Sequence, residues 1–367
     1  MRRRRLLLAT APALAGALLG GCDGATPEVP DAWRGPGADL ADARLAVLAW
    51  AILAPSPGNT QPWQAALAGP DGIRLRPDPA RRLAAQDPDG RQERIALGCF
   101  VECASLAAAA RGRRLTTAGS GPELELRLAA DPLVAPDPLF AALPARRTSR
   151  RAFDPEKPVT PAHASMLAGA AGGDVTVGFV TAPQPVAALR DLAATAQAMA
   201  RTLPRVAAEQ ARWLRLGPDE AAAHGDGLVL GGTWLGLARR AGLVSAPQVV
   251  AADGAAAWVD RVFWDNLFAG TASFGWLATT GDDLVARLAA GRAYQRLDLA
   301  AAQAGVAIHP VSEPLGDIAQ LGDARRELER QLAIAPGSRV QMLFRLGYAG
   351  PQPPSPRRAR AAILVIQ

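Results

Sequence analysis

Cysteine, histidine and lysine are scarce in this chain of 367 residues. The cysteines are Cys22, Cys99 and Cys103, and the histidines are His163, His224 and His309. No group of these residues has the spacing of a zinc site, so the sequence argues against a metal centre. Lysine occurs once, so almost every cationic role, including phosphate binding, must fall to the planar guanidinium of arginine.

Several enzyme signatures are also missing. The chain has no Gly-x-Ser-x-Gly elbow, no Walker loop and no Rossmann glycine fingerprint in a suitable context. The glycines of residues 231–236 have the wrong spacing for a dinucleotide loop. No paired-carboxylate or Ser/His/Asp arrangement can be defended, so the sequence gives no reason to expect a side-chain nucleophile.

The charge balance argues against a nucleic-acid partner. The chain has 40 basic and 34 acidic residues, a formal charge of +6. Arg2 to Arg5 contribute four of the basic residues, and no acidic residue precedes Asp23, so removing that segment leaves 36 against 34, a net charge of +2. A nearly neutral body has no electrostatic footprint for nucleic acid. With 49% hydrophobic and 20% charged residues, the chain is expected to fold.

Residues 1–21 have the form of an export signal: a basic run, a short apolar stretch and small residues before Cys22. The apolar stretch is too short for a comfortable membrane span. The "LGGC" motif predicts lipidation of Cys22. Each CH₂ group of an acyl chain that is buried in a bilayer contributes about 0.8 kcal/mol of binding free energy, so the attached chains would anchor the protein to a membrane. "RRRRLLL" is compatible with twin-arginine export or with an ordinary signal. We therefore expect an exported protein of the cell envelope or periplasm, with residues 22–39 as a Gly/Pro-rich tether.

Hydrophobic periodicity predicts alternating helices and strands after the tether. One long helix is expected over about 185–216, loops or a lid over 217–254, and an aromatic helix over 257–279. Because the last two segments could fold over a ligand, residues 217–279 are interpreted as a candidate lid. The final "AAILVIQ" is strand-like. Cys99 and Cys103, four residues apart on a predicted helix, are interpreted as a redox pair or as two small buried hydrophobes.

Two fifteen-residue segments indicate an internal duplication. Residues 98–112 and 291–305 begin and end with glycine, share an aligned "LAAA", and are each followed by a strand-like segment. We therefore predict two related halves, 40–145 and 146–350, followed by a C-terminal arm, 351–367.

Three loops carry most of the candidate binding groups. "APSPGNTQPW" at 54–63 offers hydroxyl and amide groups that suit a flat heteroaromatic ligand, although a plain Pro/Gly turn would have the same composition. "RRTSRR" at 146–151 combines four guanidinium groups with two hydroxyls and is interpreted as a phosphate clamp or as a solvated charge run. "PRRAR" at 356–360 could reach the same anion, and "HPVSEPLG" at 309–316 could present backbone amides.

Taken together, these segments resemble the FMN-dependent nitroreductase family, and more specifically its twin-domain, Acg-type branch. The matching stretches are "APSPGNTQPW" at 54–63, "DPDGR…LG" at 87–98, "RRTSRRAF" at 146–153, "GRAYQRLDLAAAQAGVAIHP" at 291–310 and "FRLGYAGPQPPSPRR" at 344–358. The resemblance implies an α+β chain with two nitroreductase-like halves, mixed sheets flanked by helices, that forms an intramolecular pseudo-dimer. The first half has the loop but lacks the arginine motif, and the second half has the opposite, so one composite FMN site per chain is implied.

The resemblance assigns roles to particular residues. Phosphate contacts fall to the arginine motif and the C-terminal basic pair, ring contacts to the 54–63 loop, and backbone donors near the flavin N5 to residues 311–313. The implied cofactor contacts are Ser56, Asn59, Thr60, Gln61, Arg146, Arg147, Thr148, Arg150, Val311, Ser312, Glu313, Arg357 and Arg358.

The function implied is that of an FMN-dependent oxidoreductase. NADPH or NADH would be the donor, and a nitroaromatic, quinone or similar small molecule the acceptor, in ping-pong turnover. Export complicates this expectation because NAD(P)H is scarce outside the cytoplasm. The alternative is an exported protein that sequesters or stores FMN in a capped site with little turnover. A monomeric pseudo-dimer, anchored to the membrane through Cys22 and without a nucleic-acid partner, is expected in both cases.

Overall fold

The computed structural model describes residues 31–34, 40–119, 121–251 and 257–366. The predicted signal segment, Cys22 and most of the tether lie outside these residues. No helix among the described residues is long and apolar enough to cross a membrane. The helices are α1 (Ala43–Ala51), α2 (Arg91–Ala109), α3 (Pro161–Ala171), α4 (Pro183–Arg201), α5 (Pro204–Trp213), α6 (Pro218–His224), α7 (Thr233–Arg240), α8 (Ala246–Val250), α9 (Ala257–Ala269), α10 (Leu284–Gln303) and α11 (Gly322–Gln331).

The strands form two four-stranded antiparallel sheets and one parallel pair. The first sheet has the order β1-β2-β4-β3 and the second has the order β5-β8-β10-β9. The small pair is β6-β7. The strands are β1 (Trp63–Ala68), β2 (Gly72–Pro77), β3 (Arg113–Ala118), β4 (Leu124–Ala130), β5 (Thr176–Val180), β6 (Leu214–Leu216), β7 (Leu228–Leu230), β8 (Ser273–Thr280), β9 (Ala307–Pro310) and β10 (Ser338–Gly347).

The two large sheets are built in the same way. Counted within each half, the first, second, fourth and third strands lie side by side, and one long helix, α2 or α10, connects the second and third strands. Strand β4 shows why the sequence forms such a sheet: its leucines alternate with charged residues, and the leucines are buried while the charges are exposed. The duplicated α+β architecture expected from the sequence is therefore present.

Each large sheet is extended at one edge by a single parallel bridge. Leu364 of the C-terminal arm forms a parallel bridge with Ala65 of β1. Thr148, which follows the first half, forms a parallel bridge with Ile308 of β9. These bridges add parallel pairing at the edges of the otherwise antiparallel sheets, and the bridge at Leu364 ties the C-terminal arm to the first half.

The core runs through both halves at the crossing of α2 and α10. Their side chains share one large apolar cluster that includes Leu97, Phe100 and Leu297. The helices approach most closely at Gly98 and Gly291, the aligned glycines of the duplicated segments. A Cβ atom on Gly98 would lie 2.2 Å from the Leu288 carbonyl oxygen, and one on Gly291 would lie 2.0 Å from that of Ile95. Only glycine permits this approach.

The second half carries a long insertion, residues 181–272, between β5 and β8. The single helix predicted over 185–216 is instead α4 and α5, because Pro204 lacks the N–H needed to continue a helix. Within the predicted loop or lid at 217–254, the described residues 217–251 contain three short helices and β7 rather than loops alone. The prediction of a helix over 257–279 was half wrong: α9 ends at Ala269, and Ser273–Thr280 forms β8 in the middle of the second sheet.

Two consequences follow for the sequence predictions. Residues 273–279 belong to the core sheet and cannot be part of a lid, whereas α4, which precedes the predicted lid, does belong to the insertion. The strand expected in "AAILVIQ" is reduced to a 3₁₀ turn, Arg360–Ile363, and the bridge at Leu364. In both segments the local sequence pattern fits more than one secondary structure, and the strands available for pairing in the fold decide which one forms.

Candidate functional site

A cavity of about 220 Å³ lies where the two halves and the insertion meet. The first half contributes residues 55–58 and the beginning of α2; the second contributes α10, the end of β9 and the loop after it. Thr148 and Arg150 reach the cavity from the segment between the halves. Helices α4, α5 and α9 of the insertion cover it. A site composed from both halves is therefore present.

The loop before β1 places Pro55, Ser56, Pro57 and Gly58 at the cavity wall. It is tightly wound: the Ser56 hydroxyl accepts a hydrogen bond from the Gln61 amide at 2.9 Å. Asn59 and Gln61 have φ values of 51° and 52°, a region that non-glycine residues rarely adopt. Such backbone persists only where the surroundings enforce it, and it is common at ligand sites.

The remaining predicted residues of this loop do not line the cavity. Asn59 Nδ2 donates to the carbonyl oxygens of Gly227 and Pro356, each at 3.1 Å. Gln61 Nε2 donates to the Gly225 carbonyl at 2.9 Å, and its Oε1 accepts from the Arg358 amide at 2.8 Å. In this structure the hydrogen-bonding groups of both side chains bind the insertion and the C-terminal arm, and their contacts with a flavin ring stay a prediction.

Thr60 lies behind the loop, and its predicted cofactor contact stays a prediction. Its side chain is fully buried, does not line the cavity, and its hydroxyl has no hydrogen-bond partner among the described residues. Its backbone carbonyl accepts from Arg81 at 2.8 Å. The residue therefore supports the loop from behind.

Arg146 and Arg147 also lie away from the cavity. Arg146 is buried and donates to Asp298 Oδ2 at 2.9 Å and to the Leu53 carbonyl at 3.2 Å. Arg147 donates to the carbonyl oxygens of Pro144 and Arg146 and lies 4.4 Å from the ring centre of Trp33. Both guanidinium groups have protein partners in this structure, and the phosphate contacts predicted for this pair stay predictions.

The C-terminal arginines are committed in the same way. Arg357 NH1 donates to Asn59 Oδ1 at 2.8 Å, and its NH2 donates to the carbonyls of Leu53 and Ala54. Burial lowers the pKa of Arg357 well below its ordinary value. Arg358 donates to the Gln61 carbonyl at 3.1 Å and lies 3.6 Å from Asp78. Both residues attach the arm to the loop and do not line the cavity, and their predicted phosphate contacts stay predictions.

Arg150 is the arginine of the motif that does line the cavity, together with Thr148. It forms no hydrogen bond or ion pair with any residue in the described part of the chain. Burial, with a smaller contribution from the charge of Arg146, lowers its pKa to about 10, so it remains a cation at neutral pH. Arg150 is half-buried, and a cation withdrawn from water in this way without a protein partner favours an anionic ligand.

Tyr294 of α10 is a cavity residue that the sequence interpretation did not assign. Its side chain is 1% exposed, and its hydroxyl has no hydrogen-bond partner among the described residues. Burial raises the pKa of this phenol well above its ordinary value, so the hydroxyl keeps its proton. A buried hydroxyl without a partner costs about 1–3 kcal/mol, a cost that a ligand could remove.

Arg91, at the end of "DPDGR", brings a second guanidinium to the cavity. It is 1% exposed, lies 2.5 Å from Asp317 Oδ1, and also binds the Gln341 carbonyl. The arginine holds the pKa of Asp317 below its usual range despite burial. Because this charge is matched by a carboxylate, the uncompensated positive charge of the cavity comes from Arg150.

His309 lies at the same wall. Its Nδ1 accepts a hydrogen bond from Arg345 Nε at 3.4 Å, so the proton of the neutral ring is on Nε2. Burial and the nearby charges of Arg345 and Arg150 lower the His309 pKa well below its ordinary value. The imidazole is therefore neutral across the physiological pH range.

The predicted backbone donors at 311–313 divide into two groups. Val311 is buried in the core and its amide donates to the Leu343 carbonyl at 2.8 Å, which rules it out as a donor to a ligand. Ser312 and Glu313 line the cavity. With its amide oriented to suit both neighbours, Gln197 donates to Glu313 Oε1 at 2.9 Å and accepts from Trp264 Nε1 at 3.3 Å. The insertion is thereby joined to the loop after β9.

Cys99 lines the cavity, and Cys103 lies one turn further along α2. Both are buried and reduced, and burial raises both thiol pKa values. The structure therefore favours two small buried hydrophobes over a reactive pair. Among the described residues, no three His, Cys, Asp or Glu side chains are grouped so as to hold a metal ion.

Comparison with known proteins identifies the family. No protein-family model matches the chain. Two Mycobacterium tuberculosis proteins, provisionally named NAD(P)H nitroreductases, are each 32% identical to it over 342 residues: Rv3131 of strain ATCC 25618 / H37Rv and MT3217 of strain CDC 1551 / Oshkosh. Each alignment covers 87% of this chain and 90% of the relative. The chain belongs to the nitroreductase family.

Solved nitroreductases overlap with parts of the structure. One is the FMN and NADPH-dependent nitroreductase NfnB from Sphigopyxis sp. strain HMH, which is 18% identical to this chain. The match covers 62% of this chain and 98% of that protein, with a TM-score of 0.39. Another is the FMN-dependent nitroreductase NfnB from Mycobacterium smegmatis in complex with NADPH, with 17% identity, coverages of 60% and 94%, and a TM-score of 0.36. Similarity at this level carries no conclusion about activity.

The nitroreductase motifs thus located the site better than they identified its residues. Ser56, Thr148, Arg150, Ser312 and Glu313 line the cavity as predicted positions, although no ligand contact is established by that. Arg91 and Tyr294 were within quoted motifs but received no role. The signal that could have found them is their place on α2 and α10, the two helices that the duplication puts at the centre of the molecule.

Proposed function

We propose that this nitroreductase binds one FMN in the composite cavity and is an FMN-dependent oxidoreductase. NADPH or NADH would serve as donor and a nitroaromatic, quinone or similar small molecule as acceptor, in ping-pong turnover. When bound, FMN would supply the two-electron redox chemistry that the protein's own side chains lack. Because a single chain supplies both halves of the site, we propose a monomer with one flavin rather than two.

The residues present fit this cofactor. FMN combines a dianionic phosphate, a polar chain and a flat apolar ring, and the cavity offers a group for each. Arg150 is the cation without a partner, and Thr148 and Tyr294 add hydroxyls. The roof from the insertion is largely apolar and aromatic, with Phe263 and Trp264. Such walls with few polar groups suit a planar aromatic ligand.

Within this proposal each residue has a physical role. Arg150 and Thr148 would bind the phosphate, because guanidinium groups match phosphate oxygens in geometry and charge. Ser56 and its strained loop would contact the ring from the first half, and Ser312 from the second. Arg91, fixed by Asp317, would place positive charge near the wall and stabilise negative charge that develops on a bound ligand.

The unpartnered Arg150 is the observation on which the proposal depends, and substitution tests it. We expect Arg150→Ala to weaken FMN binding by about 1.5–3 kcal/mol, the range for charge-assisted hydrogen bonds, or roughly 10- to 150-fold in Kd. Fluorescence titration of the flavin-free protein with FMN measures this change. Arg150→Lys should recover part of the affinity, and Arg114→Ala, at an exposed arginine of β3, should leave it unchanged.

Three results would contradict the proposal or part of it. One is a wild-type protein that is colourless as purified and cannot be reconstituted with FMN. The other is an Arg150→Ala protein with wild-type affinity, which would remove this residue from the phosphate site. A stoichiometry of two flavins per chain would contradict the single composite site.

The second candidate function is an FMN-sequestering or storage protein, and the fixation of the insertion favours it. Glu209 of α5 accepts hydrogen bonds from the amides of Ala85 and Gln86 at 3.0 and 2.9 Å. Arg81 donates to Asp226 at 2.8 Å, so a second tie joins the first half to the insertion. A roof attached at several points hinders the entry of a nicotinamide donor.

Rapid mixing separates these two functions. A reductase should lose the visible absorbance of its oxidised flavin when mixed with NADPH or NADH, and regain it on adding a quinone. A storage protein should keep its absorbance with both nucleotides, yet lose it with dithionite, a small reductant that needs no nucleotide site. The dithionite arm shows that the flavin itself is competent.

We also propose that the chain is exported and anchored to the membrane through a lipid on Cys22. The support is the sequence of residues 1–22, which lies outside the described structure. Expression in a bacterium with lipoprotein processing, followed by mass spectrometry of the N-terminus, tests this directly. Cys22→Ser should abolish the acyl mass and shift the protein out of the membrane fraction.

A further inference from the structure

Three large apolar side chains lie exposed on one short stretch of the insertion. Trp234, Leu237 and Leu243 are 65%, 39% and 77% exposed. Trp234 and Leu237 are three residues apart on α7 and therefore share a face of the helix. The opposite face contributes Leu235 to the small core beneath α7. The helix is thus apolar on both sides, and only one side is covered by the protein.

The turn after α7 adds Leu243 to this surface. The Gly242 amide donates to the Arg239 carbonyl at 3.0 Å, and the Leu243 amide donates to the Ala238 carbonyl at 2.9 Å. This pair of bonds, with Gly242 at φ 72°, closes a Schellman motif. In such a motif the residue after the glycine folds back toward the last turn of the helix. Leu243 therefore extends the face that carries Leu237.

Arginines border the apolar surface. Arg239 lies 3.2 Å from Glu220, and Arg240 lies 3.1 Å from Asp219, both on α6. The Arg240 side chain remains 52% exposed. Tryptophan, leucine and arginine on one short amphipathic helix are the composition of a surface that lies in the headgroup layer of a bilayer.

The position of the tether points to the same occupant. Trp33 is 3% exposed, its Nε1 donates to the Ser355 carbonyl at 2.9 Å, and Arg357 lies 4.8 Å from its ring centre. The N-terminal segment is therefore attached to the body at Trp33. Trp33 follows Cys22 by eleven positions, and at about 3.3–3.6 Å per residue this stretch spans at most about 40 Å.

The attachment point and α7 are separated by one helix. Gly225, at the end of α6, is packed so closely on the backbone of Arg357 that a Cβ atom there would lie 3.1 Å from its carbonyl oxygen. Arg357 in turn contacts Trp33. Because α6 also forms both ion pairs with α7, a chain anchored at Cys22 would hold α7 close to the bilayer.

We propose that Trp234, Leu237 and Leu243 form a membrane-docking surface that inserts into the headgroup layer of the bilayer holding the Cys22 anchor. The inference rests on the proposed anchoring, not on the proposed redox activity. Docking at two points, the lipid and α7, fixes the orientation of the body. The insertion, and with it the roof of the cavity, faces the membrane.

Site-specific labelling of the lipidated full chain tests the surface. Leu243→Cys is labelled with an environment-sensitive fluorophore and reconstituted into vesicles of phosphatidylethanolamine and phosphatidylglycerol. Labelling is selective because Cys99 and Cys103 are buried and lipidation would block the Cys22 thiol. Leu133→Cys, at an equally apolar residue that is 89% exposed on the first half, is the matched control. For the label at 243 we expect an emission that is shifted to the blue, several-fold weaker quenching by iodide, and quenching by brominated lipid. The label at 133 should show none of these changes.

Each other outcome overturns the proposal. Equal water exposure at both labels would show that the body floats on its tether. Protection at 243 that depends on protein concentration and persists in detergent without a bilayer would identify a second copy of the chain as the occupant. A chain that fails to enter the detergent phase on cloud-point partitioning lacks the anchor, and docking falls with it, whereas flavin binding would be unaffected.

Discussion

The two halves of this nitroreductase share a scaffold and differ in what is attached to it. Residues 69–71 make a tight turn between the first two strands of the first half. At the equivalent point the second half inserts residues 181–272. The first half supplies the loop at 55–58, whereas the second supplies Tyr294, His309 and the roof. Duplication therefore built the framework, and departures from symmetry built the cavity.

The two halves are most alike where α2 contacts α10, and substitutions there should have the largest effect. We expect Gly98→Ala or Gly291→Ala to destabilise the fold by about 1–3 kcal/mol or more, because a methyl group would overlap a backbone carbonyl and force the helices apart. Urea unfolding measures the change in the free energy of unfolding. Gly169→Ala on α3, where an added Cβ has no neighbour within 4 Å, should be neutral or slightly stabilising. Equal effects at all three sites would show that the crossing is loose.

A smaller effect is expected where aligned residues differ. Glu102 of α2 is buried and accepts hydrogen bonds from Arg292 and Arg296, each at 2.9 Å. Its counterpart in the duplicated segment, Gln295, is fully buried, and neither polar atom of its amide has a partner among the described residues. Glu102→Gln should destabilise the protein by about 1–2 kcal/mol, whereas Gln295→Leu should stabilise it by about 1 kcal/mol, because it removes an unsatisfied buried amide.

Thermal and urea unfolding of both variants, and of the double variant, measure this difference. The two side chains lie on different helices and share no hydrogen-bond partner, so the changes should be nearly additive. Loss of stability in Gln295→Leu would mean that the amide binds a ligand or buried water that matters to the fold.

The scaffold could be predicted because its signals are local. Alternating leucines in β4, the glycines that end α2 and α10, and the repeated "LAAA" each determine nearby structure, and their order matches the family. Residues 257–279 were less tractable, because an aromatic, apolar stretch suits a buried helix or a central strand equally well. Only the partners β5 and β10 decide that Ser273–Thr280 is a strand.

The site was harder to predict because sequence does not show how a side chain's hydrogen bonds are used. Arg146 and Arg150 are residues of the same type in the same motif. Arg146 binds Asp298, whereas Arg150 binds no described residue. Asn59 and Gln61 are similarly occupied by carbonyl groups more than 160 residues away in the chain. Motif spacing brings such residues to one region, but long-range partners decide which of them face the cavity.

The smallest predicted effect concerns the beginnings of the two central helices. At α10 the capping residue, Asp283, is exposed and accepts a hydrogen bond from the Ala286 amide at 2.8 Å. At α2 the first turn holds Glu93, whose side chain is 13% exposed and lies 3.7 Å from Arg82. Burial raises the Glu93 pKa to about 7 from its ordinary value of 4.5, and the nearby Arg82 offsets only part of that increase.

A raised carboxyl pKa means that the folded state binds the proton more tightly than the unfolded state. The associated stability is fully present below pH 4.5 and is lost as pH rises through about 7. We therefore expect Glu93→Gln to match the wild type near pH 4 and to be more stable above pH 7. The gain should be about 1 kcal/mol, since water screens part of the penalty. Urea titrations across this range measure it, with Glu125→Gln, at an exposed position of β4, as the control variant. A Glu93→Gln advantage that is constant with pH would show instead that this carboxylate is solvated, and that the two helix starts differ in geometry but not in electrostatics.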